Sequence, residues 1–168
     1  MCANYPNNTH YVRKTMIHLD ATDTQLLKVL QEDASLTAAE LSERLNLSAS
    51  QLGRRRAKLE AEGYIIGIHA RVSSKKTGLT VQAFIQVQMA AHTADSHASF
   101  LRLTETQPQI TAAWTLTGEA DYLLRIFCTD LSDLNRVVQD VLLPHPAVAR
   151  VQSQIVMDQI KLDAPLPV

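Results

Sequence analysis

Two hydrophobic rhythms run through this chain, one of helical spacing and one of strict alternation. Before Gly63 the apolar positions fall three and four apart. Leu26, Leu27 and Leu30 form one group, Leu36, Leu41 and Leu45 a second, Leu52 and Leu59 a third. Each group predicts the buried stripe of a short helix. Asp20 stands where an N-cap is needed for the first, which ends near Asp33. Thr37 with Glu40, and Ser48 with Gln51, have capping-box spacing, in which a hydroxyl and a side chain three residues on satisfy free amides at a helix start. Asn46-Leu47 breaks the second helix, and Gly63 suits the end of the third. Three helices around a leucine core, the last two joined by a tight turn, predict a helix-turn-helix. Its second helix would lie in a DNA major groove with its first residues on base edges.

Beyond Gly63 the period changes to two. Ile66, Ile68, Ala70 and Val72 alternate with Ile65, Gly67, His69 and Arg71, which predicts a linking strand. The polar run Ser73-Ser74-Lys75-Lys76-Thr77-Gly78 marks a boundary. Val81, Ala83, Ile85, Val87 and Met89 then alternate with Gln82, Phe84, Gln86 and Gln88 as a strand. A helix is predicted over residues 95–106, a strand through Ile110, Ala112, Trp114 and Leu116, and a turn over residues 117–120. An almost wholly apolar strand follows from Tyr122 to Cys128. Leu131, Leu134, Val137, Val138, Val141 and Leu142 make a long helical stripe stopped by Pro144-His145-Pro146, and a strand over residues 148–157 closes the pattern. Strand-helix-strand-strand-helix-strand is the ferredoxin-like βαββαβ order. Its helices cover one face of the sheet. Leu123 and Phe127 are apolar on the other face, as Tyr122, Leu124 and Ile126 are on the first. An uncovered apolar sheet predicts a partner, here a second copy packed face to face as a symmetric dimer.

The expected class is therefore α+β: a helix-turn-helix (winged-helix-like) domain over residues 19–63, a linking strand and linker over 64–79, and a ferredoxin-like domain over 80–168. Residues 1–18 are polar and aperiodic and read as a disordered tail. Arg13 and Lys14 belong to that solvated tail, and Met16 is an alternative start to Met1.

Composition alters this picture little. The 168 residues are 46% hydrophobic and 20% charged, an ordinary soluble globular balance. No apolar run approaches the ~20 residues of a membrane helix, and the first residues lack the apolar core of a signal peptide. Cys2 and Cys128 suggest no disulfide framework, which favours the cytoplasm. Cys128 reads as core. His10, His18, His69, His92, His97 and His145 show no metal-ligand spacing, and neither a nucleophile–base pair nor a phosphate-cradling glycine loop stands out, so no catalytic residue, cofactor or metal is expected.

Charge adds more. The net charge of −1 is unusual for a chain that binds DNA, but Arg54, Arg55, Arg56 and Lys58 cluster within the third helix. Affinity for phosphate depends on such a local cluster rather than on the average. The DNA-facing set is read as Ser48, Ser50, Gln51, Arg54, Arg55 and Lys58. Ser48 and the free amides suit a phosphate. Ser50 and Gln51 suit base edges, and the three cations suit phosphates or a guanine.

Several segments in register carry a family resemblance: Leu19-Asp20 with Asp23, Glu40-Leu41-Ser42, Leu59-Glu60-Ala61-Glu62-Gly63-Tyr64-Ile65, Gly118-Glu119-Ala120-Asp121-Tyr122-Leu123-Leu124, and Val156-Met157. With these, the chain resembles the Lrp/AsnC transcription regulators of bacteria and archaea over nearly its whole length. The resemblance implies a DNA-binding regulator, a homodimer that assembles into an octamer or another multiple of dimers, and an amino-acid effector. It places that effector at Gly118, Glu119, Asp121, Tyr122 and Ser153. Gly118 would let backbone amides approach a carboxylate, Asp121 would pair with an ammonium, and Ser153 would add a hydroxyl. Three positions depart from the pattern. Arg56 stands where the family generally has an aliphatic residue, and Val151 where a hydroxyl residue is common. Gly53 lies inside a helix, where glycine costs about 1 kcal/mol relative to alanine. Two alternatives share the architecture: a siroheme decarboxylase and a nucleoid-type DNA architectural protein without effector response.

Overall fold

The computed structural model describes residues 19–168. The expectations for residues 1–18, including Cys2, His10, Arg13, Lys14, Met16 and His18, lie outside the described residues. The chain divides into two compact units, one formed by residues up to His69 together with Asp163–Val168, the other by Ala70–Leu162.

The first unit holds α1 (Ala21–Glu32), α2 (Ala38–Leu45) and α3 (Ala49–Ala61). Asp20 caps α1 by accepting the Asp23 amide at 2.7 Å. Thr37 and Ser48 each form a complete capping box, with Glu40 and Gln51 returning to the cap amides at 2.7 and 3.0 Å. The α2–α3 turn is made at Asn46, whose φ of 52° is a left-handed conformation that asparagine tolerates better than most residues. Leu26, Leu27, Leu30, Leu41, Leu52 and Leu59 are buried together. Gly63, at φ 78°, turns the chain out of α3. Residues 163–168 return to this unit, where the Leu166 amide donates to Gln31 Oε1 at 2.7 Å.

The expected linking strand does not form. Residues 64–72 have the alternating pattern but no ladder partner among the described residues, and Ile66 and Val72 are 80% and 71% exposed. A strand needs a neighbour for its amides and carbonyls, and the single chain supplies none here.

The second unit contains β1 (Val81–Met89), α4 (Ala94–Thr106), β2 (Ile110–Thr115), β3 (Tyr122–Cys128), α5 (Leu131–Arg136) and β4 (Val148–Ile155). After Arg136 the last helix widens to π geometry over Val137–Leu142. The sheet order is β2-β3-β1-β4 with every pair antiparallel, the ferredoxin-like arrangement. β4 stops at Ile155, short of the expected Met157, which is fully exposed. Ala83, Ile85, Val87 and Met89 of β1 and Tyr122, Leu124, Ile126 and Cys128 of β3 point into one core with Phe100, Leu134, Val137 and Leu142. The opposite face carries Phe84, Leu123, Phe127 and Trp114 beside Gln82, Gln86, Gln88, Gln152 and Gln154.

Each unit thus has its own core. Leu59, wholly buried between the helices, is expected to cost about 2–4 kcal/mol when replaced by alanine, from lost transfer energy and the residual cavity. The far-ultraviolet helical signal should then melt at lower temperature, while the near-ultraviolet signal of Trp114, in the other unit, keeps its midpoint.

Candidate nucleic-acid interface and effector site

Of the six residues read from sequence as DNA-facing, Ser48 caps α3, Ser50, Gln51, Arg54 and Arg55 lie in its first half, and Lys58 lies in its last turn. Leu52 and Leu59 face the core, which turns Ser50, Gly53, Arg54 and Ala57 outward as an exposed arc. Ser48 and Gln51 are exposed, but their side chains already serve the capping box, with Ser48 Oγ also 3.2 Å from Ser50 Oγ. The helix start is therefore rigid, with its first amides held at a fixed angle.

The four clustered cations meet different fates. Arg55 turns toward α1, where one guanidinium nitrogen donates to Asp20 Oδ2 at 2.5 Å and to Asp23 Oδ1 at 2.6 Å. Asp23 has no solvent exposure, and the Lys58 ammonium lies 3.5 Å from its other oxygen. Arg56 pairs with Glu60 one turn on, at 2.9 Å. Arg54 makes no ion pair among the described residues. The Asp23 amide, followed by the Arg55 guanidinium, holds the Asp20 carboxyl below the usual carboxylate range. Reciprocally, Asp20 and then Asp23 keep Arg55 more firmly protonated than an isolated guanidinium. Sequence reasoning missed this cluster. Its signal was two acids three apart, Asp20 and Asp23, at the head of an apolar helix in a chain with a surplus of cations on another.

The five residues of the implied effector site are not gathered around one point in the single chain. Gly118 is exposed at φ 115°, a backbone that favours glycine. Glu119 edges a shallow polar concavity with Ala120, Gln86, Gln88, Arg150 and Gln152. Asp121 is tied to the end of β1, donating its amide to the Val87 carbonyl at 2.9 Å and accepting the Met89 amide on Oδ2 at 2.7 Å. Its other oxygen lies 3.6 Å from His92 Nδ1. Tyr122 is buried against Phe100, ring centroids 4.6 Å apart, and its hydroxyl is hydrogen-bonded to His97 Nδ1. Burial, and then the Asp121 carboxylate, push that hydroxyl above its ordinary value. Ser153 pairs across from buried Ile85, so it lies on the sheet face opposite Gln152 and the concavity. The glutamines and Arg150 around Glu119 were legible only as the polar side of an alternating strand. Burial pushes the Cys128 thiol up to about 11, which leaves it an unreactive core residue. Among the described residues no three His, Cys, Asp or Glu side chains are placed to hold a metal ion, and no helix is long and apolar enough to cross a membrane.

Comparison with known proteins bears on both sites. Residues 82–166 match the Lrp/AsnC ligand binding domain, and residues 19–66 match a winged helix-turn-helix DNA-binding domain. The transcriptional regulator AzlB of Bacillus subtilis is 34% identical over 152 residues, 90% of this chain and 97% of its own. The DNA-binding transcriptional activator DecR of Escherichia coli is 30% identical over 150 residues, 89% and 99% of the two chains. Among solved structures, a transcriptional regulator of Neisseria meningitidis in complex with L-Met is 39% identical with a TM-score of 0.85, covering 89% of this chain and 97% of that one. An AsnC family regulator from Agrobacterium tumefaciens is 28% identical with a TM-score of 0.82 over the same shares.

Removing Arg55 would leave Asp23 buried with only the more distant Lys58. Arg55→Ala is expected to cost about 3 kcal/mol, the low end for stranding a buried charge, whereas removing exposed Arg54 should shift stability by less than about 0.5 kcal/mol. Urea denaturation of the two variants checks the contrast. The depressed Asp20 carboxyl contributes stability that is present above pH 4 and lost as pH falls through its lowered folded value. The Glu40 carboxyl is held down in the same direction by the Thr37 amide and hydroxyl. The midpoint should therefore stay level from pH 7 to about 5 and drop below about 4. Asp20→Asn should remove part of that acid dependence.

Proposed function

The chain belongs to the Lrp/AsnC family of transcriptional regulators, and from that premise we propose that it binds DNA sequence-specifically as a homodimer and responds to an amino acid. The observation that carries this reading is α3: a helix capped at its start, held to α1 by an ion pair, and presenting an exposed arc whose Arg54 has no ion-pair partner among the described residues. Ser48, Ser50, Gln51, Arg54 and Lys58 are the proposed DNA-facing residues. Arg55 is assigned to holding the helix rather than touching phosphate, because two carboxylates occupy it.

Two features support self-association. The face of the sheet away from the helices carries half-buried Phe84, Leu123 and Phe127 and an exposed Trp114. Apolar area of this kind on a soluble protein is an interaction surface. Residues 66–72 alternate apolar and polar positions without joining a sheet among the described residues, and Ile66, Ile68 and Val72 are exposed, a pattern that pairing with a second copy would bury. A symmetric dimer would present two copies of α3 to two half-sites, and dimers would assemble further, into an octamer or another multiple. The effector is proposed to be an amino acid near Gly118, Glu119, Asp121, Tyr122 and Ser153. The Neisseria relative with L-Met supports that class, and a site shared between copies fits the scatter of these residues in one chain. The regulator is proposed to act in the cytoplasm, with the division of labour falling between residues 19–63, 64–79 and 80–168.

Sedimentation and fluorescence anisotropy test the reading on the whole chain. The protein should sediment as a dimer or a multiple of dimers, and Trp114→Glu should weaken association at least tenfold. Affinity for a duplex enriched from a random library should fall steeply with salt, the logarithmic slope growing by about 0.9 for each phosphate neutralised. L-Met or another of the twenty amino acids should shift that affinity. A salt-insensitive monomer would overturn the proposal.

A further inference from the structure

We infer that sequence is read through one adjacent pair on α3, Gly53 and Arg54, with Gly53 marking where the helix backbone comes closest to the base pairs. The inference rests on the DNA-binding reading above and says which residues of that helix determine specificity.

Two independent observations carry it. The first concerns charge. Of the cations clustered in α3, Arg55 is held by Asp20 and Asp23, Lys58 lies against Asp23, and Arg56 is drawn to Glu60. Each of these has a carboxylate of the chain itself as partner, which must be released or shared before it can serve a phosphate. Arg54 has none among the described residues and projects from the exposed arc. A guanidinium free to adopt its own geometry is suited to the bidentate contact with guanine O6 and N7 that gives arginine its base selectivity.

The second observation concerns a side chain that is missing. Glycine within a helix lowers stability by leaving more backbone freedom to lose on folding. Such a residue is usually explained by a positive φ or by a neighbour too close for a Cβ. Neither applies at Gly53. Its φ is not among the positive values, and a Cβ built there would meet nothing within 4 Å. It is exposed, one turn from Ser50 and Ala57 and directly before Arg54. Nothing among the described residues fills the space of the absent Cβ, so it is open to whatever lies against this arc. Against a major groove, a bare backbone position lets the helix sit deeper, beside a base edge or a thymine methyl. Arg54 would then be carried within reach of the base edges instead of stopping at the phosphates.

The discriminating feature is a pair of opposite signs in one variant. Full-length wild type, Gly53→Ala, Arg54→Ala and Arg56→Ala would be compared on a duplex enriched by the wild type from a random library and on a scrambled duplex of equal length, with a thermal melt of each. Gly53→Ala should raise the melting temperature by about 3 °C, yet bind the enriched duplex at least tenfold more weakly and the scrambled duplex within twofold of wild type. Arg54→Ala should lose tenfold or more of the preference for the enriched duplex. Arg56→Ala should change that preference by less than twofold. Undiminished binding by Gly53→Ala, a lower melting temperature for it, or an Arg56→Ala loss equal to that of Arg54→Ala would each overturn the inference. Failure of the wild type to enrich any duplex would instead overturn the DNA-binding reading beneath it.

Discussion

A carboxylate with no access to water governs the first unit. Asp23 is a fully buried residue of α1, where an unpaired charge would cost several kcal/mol. It is tolerated because α3 brings Arg55 to 2.6 Å and Lys58 to 3.5 Å. The requirement runs in both directions. Leucine contacts allow some rotation of one helix on another, since they are not directional. A guanidinium nitrogen shared by the carboxylates of the N-cap Asp20 and of Asp23 on α1 is directional, so it restrains the rotation of α3 about its axis. That rotation decides which residues of α3 look outward. The buried ion pair and the exposed arc of Ser50, Gly53, Arg54 and Ala57 are consequences of one geometry.

The same ion pairs explain how a chain of net charge −1 is compatible with a DNA-binding helix. Asp20, Asp23 and Glu60 are placed against particular cations of α3. Non-specific attraction to phosphate is thereby reduced, and the free cation is left at a defined point. Such an arrangement favours discrimination between sequences over tight binding to any duplex, and it makes a second copy of the helix valuable for affinity.

The second unit depends on sidedness. Every inward position of β1 and β3 is apolar, and all but half-buried Val81 are buried in the core that Phe100 of α4 and Leu134 of α5 complete. The other side is divided. Trp114 of β2 and Leu123 and Phe127 of β3 are apolar, β1 alternates Phe84 with Gln82, Gln86 and Gln88, and β4 carries Arg150, Gln152 and Gln154. One half therefore suits burial against another protein surface, while the other keeps hydrogen-bonding groups around Glu119 available to a polar ligand.

Local signals were readable wherever the physics is local. Asp20, Thr37 with Glu40 and Ser48 with Gln51 cap helices through partners three residues away, so spacing alone identifies them. The ferredoxin-like order follows from the alternation of periods two and three to four. The linking strand does not form because its alternating pattern is local, whereas a strand also needs a pairing partner, and none lies beside it among the described residues. Arg55 was read as facing DNA because its position along α3 is visible in sequence, whereas Asp23, 32 residues away, becomes its neighbour only when α1 packs on α3. Tyr122 and Asp121 were placed together by adjacency, yet one faces the core and the other bridges to the amide of Met89. The chain's order of residues determined the three capped helices, the ferredoxin-like order and the family. Packing alone decided which charges are consumed inside the protein and which remain for a partner, because charge pairing depends on distance through space and only the folded backbone sets it.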